Sequence, residues 1–303
     1  MVFICNCRYR TDFVWTLKKR DRRNFKKRGF ALLKLHRNSM RRFLVQFFAF
    51  IGTNSYFTQN TTKAYCVPTL NCYSCPLASF ACPLGTVQHF VTLHSVPWFV
   101  IGFMSTIGAV VGRMTCGWLC PFGWFQDLLY KIKTVKFGLP SWFGYTKFLN
   151  LLILAIIMPY FTLETWFCKL CPQGILEAGI PWIFIDPSLQ RLLGWLFTLK
   201  FLILGTVIIL SVFTKRPFCK MCPIGAFLGL FNYVSLFKLR VNIAECNKCD
   251  NCYRVCPVGI KPYQTPNSHE CIRCMECIYV CDLISYTTLL KPKNIPELGI
   301  SKG

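Results

Sequence analysis

Residues 246–257 read Cys246-Asn247-Lys248-Cys249-Asp250-Asn251-Cys252-Tyr253-Arg254-Val255-Cys256-Pro257, and the spacing returns as Cys271-x2-Cys274-x2-Cys277-x3-Cys281. Three thiolates this close together wrap a compact loop around one iron–sulfur cubane, each capping one iron. The fourth thiolate stands too far along to close the same cluster, and in two-cluster ferredoxins it ligates the other one. The spacing therefore assigns Cys246, Cys249, Cys252 and Cys281 to one 4Fe-4S cluster. Cys271, Cys274, Cys277 and Cys256 fall to the second. Zinc competes for cysteine pairs, but its sites usually join two separated C-x2-C knuckles, which this triple spacing is not. Asp282 stands where the first motif has Pro257, which changes the exit turn and leaves the ligand set intact.

Upstream of this unit the composition changes. The chain has 303 residues, 53% of them hydrophobic and only 16% charged. Soluble domains run about 25% charged, so the shortfall points to a membrane. Apolar segments fall at about 43–60, 95–115, 145–163 and 195–214. A crossing needs roughly 20 mostly apolar residues. The last three segments meet that length, and the first is the weakest. The reading is an α-helical membrane protein with about four transmembrane helices in two pseudo-repeats, followed by a small α+β two-cluster ferredoxin-like domain. Boundaries fall at 1–42 for a basic arm, 43–240 for the membrane domain, 241–290 for the ferredoxin unit and 291–303 for a tail.

The net charge of +23 is uneven. Residues 1–42 hold fourteen Lys or Arg against Asp12 and Asp21, whereas 43–112 hold only Lys63. A basic arm beside an apolar segment suits anionic lipid, and no DNA-binding motif accompanies it. The 113–147 stretch and the residues after 214 are also basic, while the loops 61–94 and 164–194 are not. The positive-inside rule then puts both termini in the cytoplasm and the two loops outside. The N-terminus lacks the apolar region and cleavage site of a signal peptide. Met40, ahead of Arg41 and Arg42, offers a second reading of where the chain starts.

Twenty cysteines fall mostly in tight pairs, many followed by proline. Such spacing suits metal or cluster sites better than long-loop disulfides. Each half of the membrane domain reads span, outer pair, span, inner pair. The outer pairs are Cys72-x2-Cys75-Pro76 and Cys168-x2-Cys171-Pro172. The inner pairs are Cys116-x3-Cys120-Pro121 and Cys219-x2-Cys222-Pro223. Parallel repeats about the membrane normal are a known architecture. Each inner pair leads into an expected interfacial helix, Trp124 to Lys133 and Phe227 to Leu239. Cys116, Cys120, Cys219 and Cys222 should meet at the inner face and are candidates for one more cluster. Outside, Cys168 and Cys171 should meet two of Cys72, Cys75 and Cys82, with a cluster, a redox dithiol and a disulfide all open. Cys66, Cys5 and Cys7 are read as structural. His89, His94, Glu164 and Glu177 lie near the outer surface, where oxidation of a quinol would need a proton acceptor; solvated loop positions are the plainer reading. Arg113 and Asp127 read as topology and interface residues.

The run Cys116-Gly117-Trp118-Leu119-Cys120-Pro121-Phe122-Gly123, the two Cys-Lys-x-Cys-Pro-x-Gly runs and the tandem ferredoxin motifs resemble membrane-bound 4Fe-4S proteins of the NapH and NosR type over about residues 41–285. Its pairs Cys168/Cys171 and Cys219/Cys222 are C-x2-C rather than C-x3-C, and the cysteines of loop 66–82, with Cys72-x2-Cys75 among them, are additional. The resemblance implies four transmembrane helices, a cytoplasmic ferredoxin domain and electron flow linked to the quinone pool, as in quinol dehydrogenases or relay subunits feeding a reductase. Function is thus expected to be iron–sulfur electron transfer in the cytoplasmic membrane, between quinone and a redox partner protein. The alternatives are a metal-ion reductase or metallocofactor assembly factor, and a redox-sensing regulator. No nucleotide loop, flavin fingerprint or hydrolase triad is visible, so an electron-transfer subunit fits better than a self-contained enzyme.

Overall fold

The computed structural model describes residues 17–55, 59–186, 188, 194–288 and 291–292. Cys5, Cys7 and the tail past 292 lie outside the described residues. Helix α1 runs unbroken over Leu17–Thr53. Its apolar end, residues 43–53, rises about 16 Å and so covers half of a ~30 Å hydrocarbon core. The side chains of Thr53 and Asn54 bond back to the carbonyls of Ala49 and Phe50. Such local bonds compete with the helical ladder, and the expected span at 43–60 is helical only to Thr53 before a break.

Four helices open on proline directly after cysteine. They are α2 (Pro83–Thr92), α4 (Pro121–Tyr130), α6 (residues 172–185) and α8 (Pro223–Leu230). Proline suits the first helical position because its missing N–H would be unpaired there and its φ is already helical. The capping cysteines Cys82, Cys120, Cys171 and Cys222 share one extended conformation, φ −71, −70, −71 and −70° with ψ 125, 116, 120 and 122°. The expected corner Cys75-Pro76 begins no helix.

Helix α3 (Trp98–Val111) is shorter than its apolar segment. It stops at Gly112, which has φ +61° and no room for a side chain, since a Cβ would lie 2.5 Å from Asn232 Oδ1. Among the described residues, helices α5 (Trp142–Thr162) and α7 (Trp195–Phe213) are the two long and apolar enough to cross a membrane. Large apolar side chains on the outside of the molecule, among them Trp98, Phe161, Phe184 and Leu202, lie exposed. Helix α5 widens into a π-turn at Ile153–Ile157 and α6 at Ile175–Gly179. Each π-turn precedes a proline, Pro159 or Pro181, whose ring would clash with the carbonyl four residues back.

The interfacial helix expected at 227–239 does not form as one piece. Helix α8 ends at Leu230 and passes into a short 3-10 turn, Phe231–Tyr233. Asn232 is fully buried and donates to the carbonyls of Ser268 and Cys271, which commits this turn to the C-terminal unit. Strand β1 (Lys238–Val241) then pairs antiparallel with β2 (Ile284–Thr288), from Lys238↔Thr287 to Val241↔Ile284. Strand β3 (Lys291–Pro292) adds the edge. Two short helices, α9 (Asn251–Val255) and α10 (Glu276–Val280), lie within the two cysteine motifs and carry Cys252 and Cys277.

The C-terminal unit is pressed onto the helical part. Trp118 Nε1 donates to the Arg273 carbonyl at 3.2 Å, and Asn38 Nδ2 reaches the Cys274 carbonyl at 3.3 Å. Gly117 packs on the Ile272 carbonyl so closely that no Cβ fits. One hydrophobic core runs through both parts and contains Cys82, Cys116, Cys171, Cys256 and Cys274.

Candidate functional site

In the C-terminal unit the two cysteine loops have matching backbones. Lys248 and Asp250 flank Cys249 with φ 54 and 58°, and Arg273 and Met275 flank Cys274 with φ 49 and 65°. Closely spaced left-handed residues of this kind are a feature of the backbone nests that anions and iron–sulfur centres use. None of these four residues is glycine, so the strain is held in place by the surrounding fold. The Cys277 thiol is raised well above its ordinary pKa by burial first, then by Cys274, Cys271 and Cys256. Cys256 thus stands near the cysteines of the other copy. Burial, with Cys249 and Cys246 adding to it, pushes Cys252 up to about 11. Cys281 is buried in the small core that also holds Cys252.

Cys116, Cys120, Cys219 and Cys222 form a tetrad beneath this unit. Burial pushes Cys120 up to about 12, with Cys219 and Cys116 the next causes. Cys222 is raised likewise by burial, then by Cys116, Cys219 and Cys120. Cys116 and Cys219 are buried and Cys120 and Cys222 half-buried, and four thiols converging in this way suit a cationic centre, which deprotonates its thiol ligands. The halves are laced across this site. Arg113 Nη2 donates to the Cys219 carbonyl at 2.7 Å, and Arg216 Nη1 to the Cys116 carbonyl at 3.2 Å. Gln126 Oε1 accepts the Phe218 N–H at 3.1 Å while its Nε2 lies 3.8 Å from Cys219 Sγ. Arg113 is buried where the two halves meet, and Asp127 binds both Arg216 and Arg42.

The second tetrad is Cys72, Cys82, Cys168 and Cys171. Burial pushes Cys72 up to about 12, with Glu177, Cys82 and Cys75 adding to the rise. Burial raises Cys168 too, then Cys82 and Cys72. A cavity of about 300 Å³ opens among these four cysteines. Gln88 repeats the role of Gln126, accepting the Phe167 N–H at 3.0 Å and reaching Cys168 Sγ at 3.5 Å. Of the three candidates in loop 66–82, the structure brings Cys72 and Cys82 to the pair from the other half. Cys75 turns aside to Asn54 and packs with Ala78 and Ala178. Cys66 faces the Thr86 hydroxyl.

The two tetrads are close. Gln46 on α1 donates to the Gly117 carbonyl beside Cys116. The Thr53 carbonyl, seven residues on, accepts from Asn71 beside Cys72, and Asn54 meets Cys75. Seven helical residues rise about 11 Å, far less than a bilayer. An apolar cavity of about 320 Å³ lies between, walled by Phe50, Phe122, Trp124 and Phe125 with Gln173 and Glu177. Glu177 is not the solvated loop residue expected. It is buried, accepts the Cys72 N–H at 2.8 Å, and burial raises its pKa to about 7. Glu164 pairs with Lys169, and His94 lies against the Tyr160 ring.

Among the described residues, no group of three or more His, Cys, Asp or Glu surrounds a single-ion position. A cubane takes one thiolate per iron. The residues at all four places, convergent thiols with nests, cavity or cationic braces around them, fit iron–sulfur centres.

Comparison with known proteins agrees. A 4Fe-4S binding domain family matches residues 79–99, 94–140, 148–184 and 195–242. These four matches take in the four Cys-Pro corners and stop short of Cys246. Uncharacterized protein MJ0750 of Methanocaldococcus jannaschii is 30% identical over 72% of this chain and 91% of its own length. The methylamine utilization ferredoxin-type protein MauN of Methylorubrum extorquens is 28% identical over 57% of this chain and 55% of its own. The regulatory protein NosR of Pseudomonas aeruginosa is 30% identical over 54% of this chain but 22% of its own length. The chain belongs to this family of ferredoxin-type 4Fe-4S proteins. No solved structure matches it.

Proposed function

We propose that the protein is a multi-pass membrane iron–sulfur protein that carries single electrons between the quinone pool and a redox partner protein. The eight cysteines of the C-terminal unit hold two 4Fe-4S clusters, and each tetrad holds one more. Bound there, such clusters take up and release one electron at a time. The observation that carries the reading is that the residues beside the two tetrads meet α1 at Gln46 and Thr53, about 11 Å apart along the helix. A ~30 Å core is too wide for one electron step, whereas this spacing divides it.

The exposed apolar side chains of α3, α5 and α7 need lipid, since patches this large are rare on soluble surfaces. Helices α5 and α7 cross in full, with α1 and α3 as shorter passes. The C-terminal unit sits on the side of Arg42, Arg113, Lys147 and Arg216. The positive-inside rule makes that side cytoplasmic. The aromatic cavity between the tetrads, with unpartnered Gln173 Oε1 and Glu177 Oε1, suits a quinol, which brings hydroxyl donors to such acceptors. Chemical counting of iron and sulfide on purified protein, with EPR of a quinol-reduced sample, tests the reading. About sixteen irons and signals that appear on adding quinol support it; eight irons would remove the tetrad clusters, and silence toward quinol would remove the quinone.

A further inference from the structure

The residue three before the first cysteine of each pair alternates around the molecule: Thr69, Arg113, Thr165, Arg216. Both arginines belong to the tetrad beneath the C-terminal unit, and both are fully buried. Each crosses to the other half and is seated against the glycine of the opposite Cys-Pro-x-Gly corner. A Cβ at Gly225 would lie 2.5 Å from Arg113 Nη2, and one at Gly123 would lie 3.0 Å from Arg216 Nη1. The corresponding glycines of the other tetrad face no cation. Gly85 faces the Tyr73 ring, and Gly174 the Cys72 sulfur at 3.8 Å.

The surrounding charges keep this contrast. Around the arginine-braced tetrad, Arg42 and Arg216 share Asp127, Arg113 and Lys147 share Glu270, and Glu276 takes the other side of Arg42. Cations therefore outnumber carboxylates, and the guanidiniums are the charges in direct contact with cysteine backbone. At the other tetrad, Lys200 and Glu177 are of opposite sign, and Lys169 is engaged by Glu164. Arginine stays charged even when buried, and a fixed charge acts strongly in a low-dielectric interior. The potential of an iron–sulfur centre follows the net charge and hydrogen bonding around it.

We propose that Arg113 and Arg216 hold the centre at Cys116, Cys120, Cys219 and Cys222 at a higher reduction potential than the one at Cys72, Cys82, Cys168 and Cys171, so that electrons pass from the second tetrad toward the C-terminal unit. This rests on the reading that both tetrads carry clusters. One electron leaves one centre and one arrives on the other, with no bond made or broken.

The test is an EPR-monitored redox titration of the full chain in detergent, with iron counted on each sample. Cys82→Ser and Cys120→Ser each remove one tetrad's signal and so assign the two signals in the wild type. The signal lost in Cys120→Ser should titrate at the higher potential. In Arg113→Gln or Arg216→Gln, which drop the charge but keep an amide donor, that signal should show at least a tenfold lower reduced-to-oxidised ratio at fixed ambient potential, ~59 mV for one electron. Arg113→Lys should keep the ratio within about threefold, about half that interval on the same scale. Sixteen irons with equal or inverted potentials in the wild type overturn the inference alone, even where an arginine variant fails to fold. A chain with eight irons overturns the reading beneath it as well.

Discussion

Gln126 joins the two halves of the molecule to Phe218 by accepting its backbone N–H at 3.1 Å. Gln88 does the same for Phe167 at 3.0 Å, one tetrad away. Both glutamines are buried and both follow a Cys-Pro corner at the same distance. Gln126→Leu or Gln88→Leu leaves a buried N–H unpaired, a cost of about 1–3 kcal/mol. Thermal unfolding in detergent should show each variant destabilised by that order, with the double variant worse than either single.

Cys75 and Cys82 each precede proline, but only Cys82 caps a helix and faces the opposite pair. Replacing Cys82 by serine should lower iron content by one cluster's worth. Cys75→Ser and Cys66→Ser should leave it unchanged. Iron analysis on the three variants decides the matter, and equal losses at Cys75 and Cys82 would contradict the assignment.

Arg42 is clamped between Asp127 at 2.7 Å and Glu276 at 2.8 Å. Removing one partner of a buried ion pair typically costs about 3–5 kcal/mol, because a charge is left without compensation. Arg42→Ala should therefore loosen the C-terminal unit from α1. Hydrogen exchange would register it as lost protection around α10, and unaltered exchange there would count against this role of the clamp.

Gly117 sits against the Ile272 carbonyl with no space for even a methyl group. A backbone atom cannot step aside as a flexible side chain can. Gly117→Val should open the seam between the C-terminal unit and the helices, exposing Arg273, which is fully buried beside Ile272, to trypsin sooner than in the wild type. The same substitution at Gly102, where nothing lies within 4 Å of a Cβ, should leave the digestion pattern alone.

The C-terminal cysteine loops could be read directly from spacing, because a local chain of a dozen residues builds most of each site. The long apolar stretches that became α5 and α7 were equally plain. Loop 66–82 was harder, since it offers two Cys-Pro steps. The third residue after the cysteine separates them: Gly85 follows Cys82 as Gly123, Gly174 and Gly225 follow the other corners, whereas Ala78 follows Cys75. Burial of Arg113 and Arg216 could not be seen in charge counting. Each owes its place to a carbonyl about a hundred residues away, and only the packing of the two halves brings those atoms together. The strand at Lys238–Val241 was hidden for a related reason, its partner lying past the last cysteine loop.

The division of each cysteine group between distant segments also orders the making of the molecule. Cys72 and Cys82 wait for Cys171, Cys116 and Cys120 wait for Cys222, and Cys256 waits for Cys277. A ribosome delivers the chain from its N-terminal end, so thiols of the first half emerge before their partners exist. On the proposed function those thiols have to stay reduced through that interval, and no tetrad can be filled before its second-half pair has been made.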